Sequence, residues 1–193
     1  CIDIEDLKKK ISLEKKILLL SHMRGHTSDM DSIIKLCKES NITLIEDSAH
    51  SLGVLWNGKP VGTYGKDGCY SFQSYKIINA GEGGILVTND DEVIVKAIYL
   101  SGAYEKMYEK HFVKSNLFEK YQNTLPAFNL RMDNISAAII RPQIKEIDKK
   151  VVIYNKNYRY LPRILSASKH INVPGIDPRE RMAPDSIQFN LKD

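Results

Sequence analysis

The sequence has no apolar run approaching the roughly 18 residues needed to span a bilayer, and no signal peptide is visible in it. Cysteine is scarce: Cys1, Cys37 and Cys69 show no C-x-x-C spacing and no Cys/His metal pattern. Cys37 falls on the apolar face of a predicted helix and Cys69 in an apolar strand. Both are expected to be buried, reduced thiols, in keeping with a cytoplasmic protein and no membrane partner. Basic runs are scarce as well. Lys8 to Lys10 is the one such run, flanked by acids, and 28 basic residues are scattered among 24 acidic ones for a net charge of +4. That is a solvated face, not a nucleic-acid patch. Internal repeats, low-complexity segments and a G-x-G-x-x-G phosphate fingerprint are all missing.

What remains is ordinary globular composition, 42% hydrophobic and 27% charged over 193 residues, enough for one sizeable core and the start of a second. Ile2 to Ile11 has helical spacing. Lys16 to Leu20 is a short continuous apolar run, which predicts a strand buried on both faces. After the loop Ser21 to His26, Ser28 with Asp31 makes a capping-box-like start to a helix lined by Met30, Ile33, Ile34 and Cys37. Ile42 to Ile45 is the next strand, so the first part reads β-α-β with parallel strands. Asn57-Gly58 predicts a two-residue hairpin turn. Gly68 to Phe72 and Ile85 to Thr88 are two further strands, and Asp90 to Leu100 a helix. Leu117 to Phe128 has no clear period. From Met132 a helical pattern runs to about Leu165, with a kink expected at Pro142. The prolines and glycine from Val173 to Pro178 read as a linker, and Ser186 to Leu191 alternates like a strand.

Two segments carry the chemistry. I-E-D-S-A-H, Ile45 to His50, ends a strand on an acidic pair. S-F-Q-S-Y-K-I-I-N-A-G-E-G-G, Ser71 to Gly84, puts one lysine, Lys76, after a strand and before a glycine-rich turn. Singly, each has a plainer reading. Asp47 is an ordinary helix cap, Lys76 a solvated loop lysine, His50 a structural histidine, and G-E-G-G a turn. Their joint order is the signal. A carboxylate and a lysine, each at a strand end of an α/β sheet, are what a pyridoxal phosphate enzyme needs.

In that order, and in D-M-D-S-I-I-K-L-C, G-K-P-V-G-T-Y-G and F-N-L-R-M-D-N-I-S-A-A-I, the chain resembles the DegT/DnrJ/StrS-type sugar aminotransferases, a branch of the fold type I pyridoxal phosphate enzymes. The resemblance covers Ile2 to about Lys150. It implies an α/β fold, a three-layer, mostly parallel sheet of the transferase large domain, truncated at both ends. It divides the chain into 1–131, the central part of that domain; 132–170, a long kinked interdomain helix; and 171–193, a linker and the start of a small C-terminal domain.

By position, the resemblance implies that Lys76 forms the Schiff base with pyridoxal 5'-phosphate. Asp47 pairs with the pyridine nitrogen, His50 contacts the ring region, and Ser71 holds the phosphate. Asn129 reaches the cofactor phosphate of a neighbouring subunit, so the partner is a second copy in a homodimer. The implied reaction moves an amino group from an amino acid, glutamate being expected, to a nucleotide-linked keto-sugar for surface polysaccharide or a secondary metabolite. Departures are visible too. Family members are about twice as long and carry a Gly-Thr phosphate loop and a ring-stacking aromatic before the point matching Cys1, so the segment alone is expected to be inactive. The loop S-H-M-R-G-H departs from the more common histidine-aromatic-glycine form. A truncated inactive paralogue or dimerisation fragment, and an aminotransferase for a cyclitol or other keto-substrate, are the alternatives. Sugar dehydration uses a histidine at the lysine position, and Lys76 argues against it.

Overall fold

The computed structural model describes residues 2–11, 14–102, 109 and 115–192; Cys1 lies outside them. Helix α1 (Ile4–Lys10) is capped by Asp3, whose side chain accepts from the amides of Glu5 and Asp6. Strand β1 (Ile17–Ser21) leads through a loop to helix α2 (Met30–Glu39) and strand β2 (Thr43–Asp47). The two strands pair in parallel, Ser21 opposite Asp47, as the β-α-β reading requires. The helix cap differs by one residue from the sequence reading. Asp29 is the N-cap, accepting from the Ser32 amide, while Ser28 Oγ accepts from the amide of Ile2.

A short hairpin, β3 (Leu55–Trp56) and β4 (Lys59–Pro60), turns at Asn57 and Gly58, both at positive φ. Strand β5 (Asp67–Ser71) joins β2 in parallel and β6 (Gly84–Thr88) joins β5 antiparallel, giving the order β1-β2-β5-β6. The sheet is thus mixed and mostly parallel, within an α/β fold. Helix α3 (Asp91–Leu100) follows, capped by Asp90. The stretch without a clear period contains helix α4 (Asn116–Tyr121), held by the Ser115 cap and the buried Phe118. Helix α5 (Asn134–Ile144) passes through Pro142 without ending there. The break falls at Lys145 and Glu146, and helix α6 (Ile147–Leu165) begins after it.

In the tail, β7 (Ile171–Asn172) pairs with β9 (Asn190–Leu191), and β8 (Glu180–Arg181) pairs with β3. Only the last two residues of the alternating Ser186–Leu191 segment therefore make a strand, and beyond the irregular Val173–Pro178 stretch Met182, Ala183 and Pro184 return to the core.

The main core packs Leu20, Met30, Ile33, Cys37, Leu44, Trp56 and Val151 together, on the face of β1 and β2 that α2 covers. The other face of β1 is bare. Ile17 and Leu19 are 62% and 63% exposed, so the continuous apolar run does not mark burial on both faces here. Cys69 lies on this same bare face and is exposed, not buried as its strand context predicts; Cys37 is buried. Among the described residues no helix is long and apolar enough to cross a membrane.

Candidate active site

Strand alternation divides the acidic pair. Neighbouring residues of a strand point to opposite faces. Glu46 faces the core side and is fully buried. Asp47 faces the open side, between Ser21 and Cys69 in the lateral register of β1, β2 and β5. One oxygen of Asp47 accepts from Ser21 Oγ at 3.0 Å, the other from the amide of Ala49 at 3.1 Å. The Cys69 thiol points at that second oxygen from 3.9 Å. Partial desolvation of the sulfur, although the residue as a whole is exposed, and then the negative charge of Asp47, push the Cys69 thiol up from its ordinary value. The Asp47 carboxylate is held in one rotamer at the carboxyl end of a parallel strand, where open α/β sheets bind their ligands.

Two residues beyond Cys69, Ser71 ends β5 on the same face, its Oγ accepting from the Gln73 amide at 3.2 Å. The segment from Phe72 to Gly83 then bears Lys76 and is bolted down at both ends. Phe72 and Ala80 close it by backbone hydrogen bonds with Gly83 and with each other, and Ser74 closes it with Gly81. Gly81 and Gly83 sit at φ +85° and +145°, open to glycine and strained for other residues. Phe72 and Ile78 pack on Ile140 of α5. Gln143 clasps the Asn79 backbone with both its amide atoms, and Lys150 Nζ donates to Ile77 O at 2.9 Å. Lys76 is half-buried; its amide donates to Gln73 O. Its ammonium makes no hydrogen bond or ion pair among the described residues.

His50 follows Asp47 in the turn after β2, and its Nδ1 lies 3.4 Å from Oδ2 of Asp185 in the tail. Asn129 is exposed, in a segment strapped to the end of α3 by Phe128 and Leu130 amides. Asp47, Ser71, Lys76 and His50 thus sit on neighbouring strand ends and loops, while Asn129 stands among exposed apolar side chains, Phe128 at 52% and Leu130 at 70%. A cavity of about 440 Å3 opens beside the end of β1, lined by Leu19, Ser21, His22, Met23, His26 and Tyr158. A larger one of about 910 Å3 runs along the flank of α6, between Tyr160, Arg163 and Ile176, away from these residues.

Glu46 is the residue that sequence reasoning passed over. It accepts from His22 Nε2 at 3.0 Å and from the amides of Gly62, Tyr64 and Gly65 at 2.6 Å each. Thr27 Oγ1 meets the other His22 nitrogen at 2.8 Å, and Ser51 Oγ donates to His22 O. Burial alone raises a carboxylate's pKa, but the hydrogen bonds from His22, Gly65 and Gly62 outweigh it and hold Glu46 below its ordinary value. Burial and Glu46 also push the Tyr70 hydroxyl up to about 12. The signal was present: V-G-T-Y-G offers the amides of Gly62, Tyr64 and Gly65 to a carboxylate one residue before Asp47.

The profile of the DegT/DnrJ/EryC1/StrS aminotransferase family matches residues 1–191. The chain belongs to that family. It is 36% identical over 148 residues to a GDP-perosamine synthase of Vibrio cholerae, covering 77% of this chain and 38% of that protein. A GDP-perosamine synthase of Escherichia coli O157:H7 is 32% identical, covering 88% of this chain and 46% of that one. Among solved structures of this fold, E. coli GDP-4-keto-6-deoxy-D-mannose-3-dehydratase with bound hydrated PLP superposes with a TM-score of 0.83 at 28% identity, covering 100% of this chain and 51% of that one. The chain therefore spans about half the length of the family members it matches.

Proposed function

We propose that this chain forms the Lys76-bearing half of a pyridoxal phosphate-dependent aminotransferase acting on a nucleotide-linked keto-sugar, in amino-sugar synthesis for surface polysaccharide or a secondary metabolite. The observation that carries the reading is the placement of Asp47. A carboxylate locked by Ser21 and Ala49 on an open sheet face shares its strand ends with Ser71 and with a lysine on a fixed loop whose ammonium has no partner among the described residues. That donor set fits the cofactor: an anion for a cationic ring nitrogen, a hydroxyl for phosphate, an amine for the aldehyde carbon.

When bound, pyridoxal phosphate supplies the electron sink for bond breaking at the amino carbon. The chain's residues do the rest. Asp47 keeps the ring nitrogen protonated by accepting its N–H. Lys76 Nζ anchors the cofactor and, once free, moves a proton to and from the amino carbon. The bolts at Asn79 and Ile77 fix where that amine can go. Ser71 Oγ donates to phosphate. The exposed apolar run Phe128, Leu130 and Ile135 supports a homodimer in which Asn129 serves the neighbouring site. A dicarboxylic amino acid such as glutamate is the expected donor, and the cytoplasm, where nucleotide sugars are made, the expected location. Residues outside 1–193 complete the cofactor site in this reading.

The dehydratase relatives support a second chemistry on the same fold, but Lys76 favours amino transfer. The test is reconstitution of the complete enzyme with pyridoxal phosphate, borohydride reduction and peptide mapping, followed by turnover of nucleotide-linked 4-keto-6-deoxy sugars with glutamate. Label on Lys76 and an aminated sugar are expected. Label on another residue, or a Lys76→Ala protein that still turns over, overturns the reading.

A further inference from the structure

The C-terminal tail is clamped against the sheet at successive residues. Arg179 reaches Asp29, Asp31 and Asp177 and lies over the Trp56 ring at 4.3 Å. Glu180 accepts from the Thr27 amide at 2.7 Å. Arg181 donates to Gly53 O and to Asp148. Asn155 Nδ2 donates to Met182 O at 2.6 Å, and the Ala183 amide donates to Gly25 O at 3.0 Å. Met182, Ala183 and Pro184 are buried. Gly25, at φ +77°, is so close to this strap that a Cβ there would stand 2.0 Å from Ala183 O.

The next residue is Asp185. Its Oδ2 lies 3.4 Å from Nδ1 of His50, across 135 residues of sequence, and both side chains are about three-quarters covered. The remaining ring nitrogen of His50, Nε2, has no hydrogen bond among the described residues. A neutral imidazole carries one proton on one of two nitrogens, and the partner of one nitrogen decides the role of the other. A carboxylate can only accept, so it selects the proton on Nδ1.

We propose that Asp185 is a positioning residue for the candidate site: it fixes the Nδ1–H form of His50 and leaves Nε2 as an acceptor for a ligand group that donates a hydrogen bond. The clamps from Arg179 to Ala183 set the aim. This deepens the function proposed above and rests on it for the nature of the ligand, a hydroxyl or ammonium beside the cofactor ring.

Nitrogen-detected NMR of the 193-residue chain reads the tautomer of His50 without any cofactor. The Nδ1–H form is expected in the unaltered protein. Asp185→Asn should lose that preference and shift toward the Nε2–H form, and Asp185→Glu should restore it, with amide spectra otherwise preserved. A wild-type His50 in the Nε2–H form, or a tautomer indifferent to Asp185→Asn, overturns the proposal. Adding pyridoxal phosphate to the complete enzyme and reducing with borohydride then tests the reading beneath it separately. Label on a residue other than Lys76 removes the cofactor assignment and, with it, the ligand side of this proposal, while the tautomer result still decides the Asp185–His50 link.

Discussion

Glu46 and Asp47 are adjacent in β2 and serve opposite faces of the sheet: one carboxylate is sealed under three backbone amides and a histidine, the other is presented on the bare side. The first holds the Gly62–Gly65 loop to the strand, and by doing so holds the strand that aims the second.

Removing the sealed carboxylate leaves one buried and two part-buried amides, and the buried Nε2 of His22, without their partner. Glu46→Ala should therefore cost about 3–5 kcal/mol of stability, read by urea denaturation. Because Glu46 is held below the ordinary value of 4.5 in the folded state, its contribution is fully present above that value. It is lost as pH falls through the lower folded value. A Glu46→Gln protein should show a flatter acid limb than the wild type in melting temperature against pH below 4.5. Parallel limbs would refute the assignment.

Asp47 separates a structural from a chemical role. Its hydrogen bonds with Ser21 and Ala49 are partly exposed, so Asp47→Asn should cost only about 1 kcal/mol. Turnover of the complete enzyme should fall by a factor on the order of 10² to 10⁴. An Asp47→Asn enzyme that melts early and keeps full turnover would return Asp47 to the role of a turn cap.

How much of this was legible follows from which interactions are local. The period of the α2 face and the Asn57-Gly58 turn are written in neighbouring residues, and they stand as expected or within a residue or two. The Ser28 cap shifted to Asp29 because the long-range hydrogen bond from Ile2 claims the Ser28 hydroxyl. Leu18 to Leu20 could not reveal a bare face, since a continuous apolar run looks the same whether its second face is covered or open. The tail was the least readable part: Arg179, Glu180 and Asp185 find partners more than 100 residues away, and no spacing rule connects them.

Gly25 tests the tail's attachment. Gly25→Ala places a methyl group against the Ala183 and Pro184 backbone at a positive φ, two separate penalties that together should exceed about 2 kcal/mol. Hydrogen exchange should quicken at the Ala183 amide, which donates to Gly25 O, and at the Arg179 to Arg181 amides beside it. Unchanged protection there, with lowered global stability, would show that the turn matters to the core and not to the strap.

The 193-residue chain alone should bind pyridoxal phosphate weakly and fail to transaminate. Asp47 and Ser71 lie on the sheet face whose Ile17 and Leu19 are more than half exposed, so water competes at the ring nitrogen and at the phosphate. Neither ring face has an aromatic assigned to it, and Asn129 acts only across a dimer in the proposed arrangement. Among the described strands β1 is an edge. Its apolar outward residues make self-association the competing fate at high concentration. The chain should therefore show Lys76 labelling only at cofactor concentrations far above micromolar, and light scattering that rises with protein concentration. Stoichiometric, sub-micromolar binding with clean labelling of Lys76 would mean that Asp47, Ser71 and the bolted lysine loop suffice to hold the cofactor, and that the open face of the sheet is no handicap to them.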